Sequence, residues 1–371
     1  MSTEFSILTA AKPEQRQEWL ELWYSSPRQN PFAHPEVCSL LGPVEGTLMA
    51  ATMHLDGGHI LYPFFLRGIG GEADRDGGGC DILSPYGYGG PMHWGLDDPA
   101  LAATSFWDAF DVWAKNAGVV SEFVRFSLFS AEVLPHPGPI RQRQDNFVRD
   151  LTVVEDELMS RAEPKVRSNV RRAAREGVSI EIDTTGELVD DFLRIYLATM
   201  ERRASAAWYR FDRAFFERLH TVLRGRFAYV CARHQDRIVS ADLVLLDTDA
   251  GYYFLGGTDV ASYSVRPNDL VKVEVMRWLK ASGRRRYVLG GGVSAGDGLE
   301  RYKRGFAPAG RVAFLTGERV LDQPRYDRLA AASRRETEAR GFVWDDADDF
   351  FPAYRREHSG RSARETAAVR S

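Results

Sequence analysis

The run FAYVCARHQDRIVSADLVLL at residues 227–246, with GYYFLGGT at 251–258, NDLVKVEVMRWLKAS at 268–282 and YVL at 287–289, decides the fold class of this chain. Phe227–Arg233, Ile238–Leu246 and Gly251–Leu255 are short apolar runs rich in β-branched and aromatic residues, which suit a pleated, half-buried surface. Only His234–Arg237 separates the first two, so an antiparallel meander is expected. The period then changes. Residues 268–282 carry apolar side chains at helical spacing, with Asn268 placed to cap the helix and Gly283 to stop it, and Tyr287–Leu289 adds a strand. Helices on a mostly antiparallel sheet imply an α/β (α+β) class.

The same order occurs earlier. Gly46–Leu55 and His59–Arg67 flank Asp56-Gly57-Gly58, a hairpin turn in which glycine accepts positive φ. The Gly68–Gly79 loop leads into residues 81–91, where the density of Gly and Pro argues against a regular strand. Pro99–Asn116 is a helix carrying Leu101, Phe106, Phe110 and Trp113 at helical spacing, and Phe123–Phe129 a buried strand. Antiparallel sheet, glycine-marked loop, helix and strand therefore recur, once around Ser84–Phe129 and again around Phe254–Leu289. Further helices are expected at Glu14–Trp23, Pro164–Arg175, Glu187–Ala204 and Arg213–Leu223. Leu134–Gln144 reads as a linker. At about 150 residues per domain, 371 residues suggest two domains. The expected division is 1–149, 150–345 and a C-terminal segment 346–371 whose polar end, from His358, is a disordered tail.

A composition of 44% hydrophobic, 27% charged and 12% aromatic residues is that of a globular protein. The first thirty residues lack an apolar core and no apolar stretch has bilayer length, so no membrane span and a cytoplasmic location are expected. Three cysteines, Cys38, Cys80 and Cys231, sit apart among apolar or glycine neighbours, as buried free thiols do. The eight histidines show no metal-ligand spacing, so no metal is expected. A net charge of -4 excludes a broad nucleic-acid coat and confines any RNA contact to a local basic patch.

Four ordered segments carry a family resemblance: Ser84-Pro85-Tyr86-Gly87-Tyr88-Gly89-Gly90-Pro91, Lys165–Ala173, Leu255-Gly256-Gly257-Thr258 and Tyr302-Lys303-Arg304-Gly305-Phe306. Together, across roughly residues 30 to 310, they resemble the FemABX aminoacyltransferases of the GNAT superfamily. The resemblance implies two GNAT-like lobes, each a mixed, mostly antiparallel sheet flanked by helices, with a cleft between them. It further implies transfer of an aminoacyl group from aminoacyl-tRNA to an amine of a small-molecule or peptide acceptor, in cell-wall or secondary-metabolite biosynthesis. No metal, nicotinamide or other cofactor is needed. The alternatives are an acyl-CoA-dependent N-acyltransferase and a non-catalytic GNAT-like binding module. Val265–Asp269 lacks the spaced glycines of a coenzyme A loop, which argues against acetyl-CoA as donor. Glu36–Glu45 lacks the lysine that some cell-wall members present to a muropeptide, and no coiled-coil arm is inserted, which argues against that acceptor.

Lys303 is the catalytic candidate, because the resemblance places it at a phosphate or oxyanion and a cation there stabilises the charge that develops on an ester carbonyl. The glycines of 290–298 have no evident structural need in the sequence, which favours function over a surface lysine beside Arg301 and Arg304. Arg202 corresponds to a family arginine that grips a substrate phosphate, for which a planar guanidinium is suited; the plain alternative is a last-turn arginine favoured by the helix dipole. Lys165, Arg167, Arg171, Arg172 and Arg175 form a basic helix that can hold a tRNA acceptor stem or simply face solvent. Tyr86 and Tyr88 read as a pocket wall or an interface plug. Tyr253, Gly256, Gly257 and Thr258 occupy the place where GNAT relatives open the sheet to the acyl donor, and exposed backbone N–H groups there can bind a carbonyl or phosphate. Nothing marks Asp259 or Asp108 as a general base rather than a surface carboxylate.

Overall fold

A computed structural model of the chain describes residues 4–43, 45–70, 79–202 and 210–356. The expected tail from His358 lies outside the described residues. The chain forms two compact units, one comprising residues 1–23, 41–142 and 315–371, the other 24–40 and 143–314.

In the first unit, β1 (Glu4–Thr9) is followed by α1 (Pro13–Ser25), and α2 (Pro35–Leu40) lies in the segment assigned to the second unit. Then come β2 (Thr47–Leu55), β3 (Gly58–Gly68), β4 (Cys80–Leu83), β5 (Met92–Trp94), α3 (Pro99–Asn116) and β6 (Val119–Arg125). The strands run β1-β2-β3-β4-β6, antiparallel except for the parallel pair β4 and β6. Cys80–Leu83 is thus a strand, contrary to the expectation from its glycine-rich surroundings: buried Cys80 and Ile82 and ladders on both sides outweigh the flanking chain breakers. Phe106, Trp107 and Phe110 of α3 pack on Tyr62 and Phe64 of β3, with Phe64 and Phe110 edge to face at 5.8 Å.

The second unit contains β7 (Ile140–Asp150), α4 (Glu155–Ser160), α5 (Pro164–Arg175), β8 (Ser179–Asp183), α6 (Val189–Arg202), α7 (Arg213–Val222), β9 (Phe227–His234), β10 (Arg237–Leu246), β11 (Ala250–Thr258), α8 (Pro267–Ala281), β12 (Arg286–Gly291) and α9 (Gly298–Phe306). The expected linker therefore ends inside β7. The meander β8-β9-β10-β11 is antiparallel, β12 lies parallel to β11, and β7 closes the order antiparallel to β12. α8 buries Leu270, Val271, Val273, Val275, Met276 and Leu279. Asn268 is not its cap. Pro267 opens the helix, where a missing N–H costs nothing, and Arg266 takes the cap position with φ 58°.

β13 (Arg311–Val320) then pairs through Thr316–Val320 with β6 of the first unit, and α10 (Gln323–Ala339) follows. Each unit thus repeats one topology: a four-strand meander, a crossing helix, a parallel fifth strand and an antiparallel sixth. The sixth strands are exchanged along the chain, since β7 follows β6 yet completes the second sheet, while β13 follows β12 yet completes the first.

Asp183 ends β8 and fixes the entry to α6. Its carboxylate accepts the N–H of Leu188 at 2.9 Å, of Thr185 at 2.6 Å and of Gly186 at 3.0 Å, and the Thr185 hydroxyl at 2.7 Å. Burial alone would raise its pKa, but these donors prevail and hold it below the ordinary carboxylate value. A depressed pKa contributes stability above the unfolded-state pKa that is lost as pH falls through the folded one. Asp183→Asn should cost about 1–2 kcal/mol at neutral pH. Urea denaturation of both proteins should show that gap closing as the pH is lowered below about 4.

Candidate functional site

Pairing between β11 and β12 is confined to Ala250, Gly251 and Tyr252 against Arg286, Tyr287 and Val288, although both strands continue beyond. At the same level the β10–β11 register shifts, Leu243 opposing Leu255 while Val244 opposes Tyr253, so that Phe254 is a bulge. A bulge bends its strand and re-aims the side chains beside it. The sheet therefore opens after Tyr252. The glycines that follow are required by packing: a Cβ on Gly257 would stand 2.5 Å from Thr199 Oγ1 and 3.0 Å from the Ile195 carbonyl of α6. A Cβ on Gly256 would strike the Asp242 carboxylate.

The opening leads to a cavity of about 930 Å³ that lies within the second unit. It gathers six of the residues singled out from the sequence, namely Lys303, Arg202, Tyr253, Gly256, Gly257 and Thr258. Lys303 is no surface lysine. It lies on α9, is 6% exposed, donates from Nζ to the Gly291 carbonyl at 2.7 Å and stands 5.4 Å from the Tyr253 ring centre. The glycines before it do have structural work: a Cβ on Gly291 would stand 2.5 Å from the Asp145 carbonyl, and Gly290 has φ 80°. α9 is held in turn by Arg149 of β7, a buried guanidinium that donates to the carbonyls of Phe306, Glu157 and Leu158 at 3.3, 3.1 and 2.7 Å. A cation suits these carbonyls, which lie at or near helix C-terminal ends.

Arg202 is exposed on the cavity rim with its guanidinium 5.8 Å from the Tyr263 ring centre. The Thr258 hydroxyl lies 2.8 Å from that of Ser240. Tyr86 and Tyr88 stand in the first unit. There the segment after β4 is stitched to β6, with Ser84 N–H donating to Phe123 O at 2.9 Å and Ser127 N–H to Gly89 O at 2.8 Å, so the place that opens in the second unit is closed in the first. Asp259 caps a short turn, its carboxylate accepting the Ala261 N–H at 3.1 Å, and Asp108 is exposed on α3.

The five basic residues of α5 divide. Val166, Val170 and Ala173 face the core, and at 100° per residue Asn169, Lys165 and Arg172 fall on one flank, Arg167, Arg171 and Arg175 towards the other. The first flank adjoins the cavity, because Asn169 Nδ2 donates to Asp269 Oδ1 at 3.0 Å. Arg167 is engaged, donating to the carbonyls of Ser160 and Ala162 at 2.9 and 2.8 Å, and Arg172 stands 3.8 Å from Glu176.

Sequence reasoning missed the charges beneath Tyr253. Asp242 of β10 and Lys272 of α8 form an ion pair, 1% and 2% exposed, with the Lys272 ammonium 3.9 Å from the Tyr253 ring centre. Burial raises the Asp242 pKa and lowers that of Lys272, each opposing ionisation, and their contact offsets part of that cost. The signal lay in IVSADLVLL and NDLVKVEVM, where one carboxylate and one ammonium each interrupt an apolar pattern. Among the described residues no group of three or more His, Cys, Asp or Glu is placed to hold a metal ion, and no helix is long and apolar enough to cross a membrane.

The stretch from the end of α4 to α9, residues 160–304, matches the family described as an acetyltransferase (GNAT) domain. Every residue lining the cavity falls within this matched stretch. Over the whole chain, the crystal structure of FemX superposes with a TM-score of 0.62 at 14% identity, covering 87% of this chain and 99% of that one. L-PGS from Bacillus licheniformis gives 0.52 at 13% identity, covering 90% and 99%. The C-terminal domain of a putative lysylphosphatidylglycerol synthetase from Agrobacterium fabrum gives 0.52 at 13% identity, covering 82% and 92%. No curated protein matches the sequence. At these identities the likeness is one of fold: the chain has the fold of FemX, with two GNAT-like units.

The buried pair yields a double-mutant test. Lys272→Met should cost about 3–5 kcal/mol by leaving the Asp242 carboxylate uncompensated, whereas Asp242→Asn combined with Lys272→Met should cost much less than either change would suggest. Denaturant unfolding of the three variants measures the difference.

Proposed function

We propose that the protein transfers an aminoacyl group from aminoacyl-tRNA to an amine of a small-molecule or peptide acceptor in the cytoplasm, forming an amide bond. The observation that carries this reading is the start of α8, the helix that follows the opened strand of the matched stretch. A helix start that binds a pyrophosphate needs free N–H groups and the positive end of the dipole. Here Pro267 removes one N–H at the first helical position, and the Asp269 carboxylate, 7% exposed, brings a negative charge to the first turn. That arrangement disfavours coenzyme A. An ester-linked aminoacyl group requires no such cradle for its reacting end.

In this reading the ester carbonyl lies at the opening beside Gly256 and Gly257, and the Lys303 ammonium stabilises the oxyanion, an effect of about 3 kcal/mol for comparable donors. Holding amine and ester together supplies a further ~7–11 kcal/mol when the alignment is good. Arg202 on the rim and the outward Lys165, Arg171, Arg172 and Arg175 of α5 supply charge for the phosphates of a tRNA end, in the same unit as the cavity. A second reading, an acyl-CoA-dependent N-acyltransferase, is favoured by the description of the family matched at residues 160–304.

Filter retention of a labelled pool of charged tRNAs, with coenzyme A binding measured separately, tests the two. Retention that is lost in Arg171→Glu/Arg172→Glu is the expected result. Binding of coenzyme A alone would transfer the assignment to the second reading. Lys303→Ala should lower turnover about tenfold more than it weakens donor binding. Neither transfer nor any dependence on Lys303 would leave a binding module.

A further inference from the structure

Asp269 presents a carboxylate to the cavity without the role that an acidic residue in a first helical turn ordinarily has. In a capping arrangement it would accept a backbone N–H at the helix start. The Arg266 N–H instead goes to the Tyr263 carbonyl at 3.3 Å, and among the described residues the one hydrogen bond to the Asp269 carboxylate comes from Asn169 Nδ2, on Oδ1 at 3.0 Å. Oδ2 is left to the cavity that Asp269 lines. A second group there lacks a partner. Tyr302 of α9 lines the same cavity, and its hydroxyl, at the cavity's edge, is buried and without a hydrogen-bond partner among the described residues. A buried polar atom left unsatisfied is costly, and a ligand that satisfies it recovers that cost.

We propose that Asp269 and Tyr302 form the amine subsite of this cavity, with Asp269 accepting the proton that the nucleophile loses as the amide bond forms. The proposal rests on the aminoacyl-transfer reading above and names the group that reading lacks, a base. An amine or ammonium N–H donates to Asp269 Oδ2, and the Tyr302 oxygen accepts a second N–H; phosphate and carboxylate ligands are repelled from the same corner. Attack proceeds from the neutral amine. The nitrogen lone pair forms the C–N bond as the carbonyl π pair moves to oxygen beside Lys303, and the proton on nitrogen passes to Asp269. When the carbonyl re-forms, the bond from carbon to the ribose oxygen breaks and that oxygen takes the proton, so the net change is one proton moved from amine to ribose hydroxyl.

The groups facing Asp269 are Asn169 and Lys165 from α5, Arg266 and Lys272 at and within α8, and Tyr302 from α9. Burial raises the Asp269 pKa and outweighs the Asn169 hydrogen bond and the nearby cations. A raised pKa makes the carboxylate a stronger base and brings its loss of charge closer to neutrality, so activity is lost as the pH falls through that value.

The test uses the full chain and glycinamide, a small amine without a carboxylate, with acetamide as its amine-free counterpart. Saturation-transfer NMR should show glycinamide bound and acetamide not. Asp269→Asn should weaken glycinamide by about tenfold, and Tyr302→Phe, which removes only the unpartnered hydroxyl and threatens no folding contact, by about threefold. Equal glycinamide binding in wild type, Asp269→Asn and Tyr302→Phe, or equal binding of the two amides, overturns the subsite. With charged tRNA as donor and glycinamide as acceptor, the acid limb of the pH–rate profile should vanish in Asp269→Asn as kcat falls, while a retained limb and rate refute the proton-accepting role. Glycinamide binding that depends on Asp269 without any transfer from charged tRNA would uphold the subsite and reject the donor. If Asp269→Asn fails to fold, Tyr302→Phe decides by itself.

Discussion

The parting of β11 from β12 beyond Tyr252 and Val288 is the constraint on which the site depends. Two parallel strands that cease to pair leave a gap in the middle of a sheet, and that gap must be bounded by side chains and helix ends. The Phe254 bulge turns the strand, Gly257 lets α6 approach to contact, and α8 and α9 supply Asp269, Lys272 and Lys303 as the other walls. The two lysines lie near one tyrosine ring, with their charges opposed by Asp242 and Asp269. In the first unit the same topology carries no such arrangement at this level, because Ser84 and Gly89 bind the chain back to β6.

Much of this was legible in the sequence. The β9–β11 meander, the hairpin of β2 and β3, and the helices α3, α5 and α8 follow from periodicity and turn chemistry, which act over a few residues. Cys80–Leu83 was not legible because it becomes a strand only through neighbours on both sides, and a local density of Gly and Pro says nothing of them. The exchange of β7 and β13 was invisible for a related reason. A strand that pairs with a partner almost two hundred positions away leaves no periodic trace of the partnership.

Within the site, Lys303 was found in an ordered motif and Arg202 and Tyr253 through their places in the family resemblance, and the structure gathers them. Asp242, Lys272 and Asp269 were passed over because each sits in an apolar pattern that identified its strand or helix correctly. In the structure the Asp242 and Lys272 charges stand inside such patterns because each pairs with the other. The basic helix shows the converse. Its five cations looked like one stripe, but Arg167 is spent on two carbonyls and Arg172 stands near Glu176.

The exchanged sixth strands bear on how the protein emerges from the ribosome. Strands β1 to β6 of the first unit precede β7 to β12 in the chain, yet β13, which completes the first unit's sheet, lies at residues 311–320. A nascent chain that has already delivered β1 to β6 therefore carries β6 as an unpaired edge until β7 to β12 and then β13 have been made. The usual vectorial order, in which an N-terminal domain finishes folding before the next is synthesised, is closed to this protein. The edge of β6 is the surface that a holding chaperone would have to shield during translation.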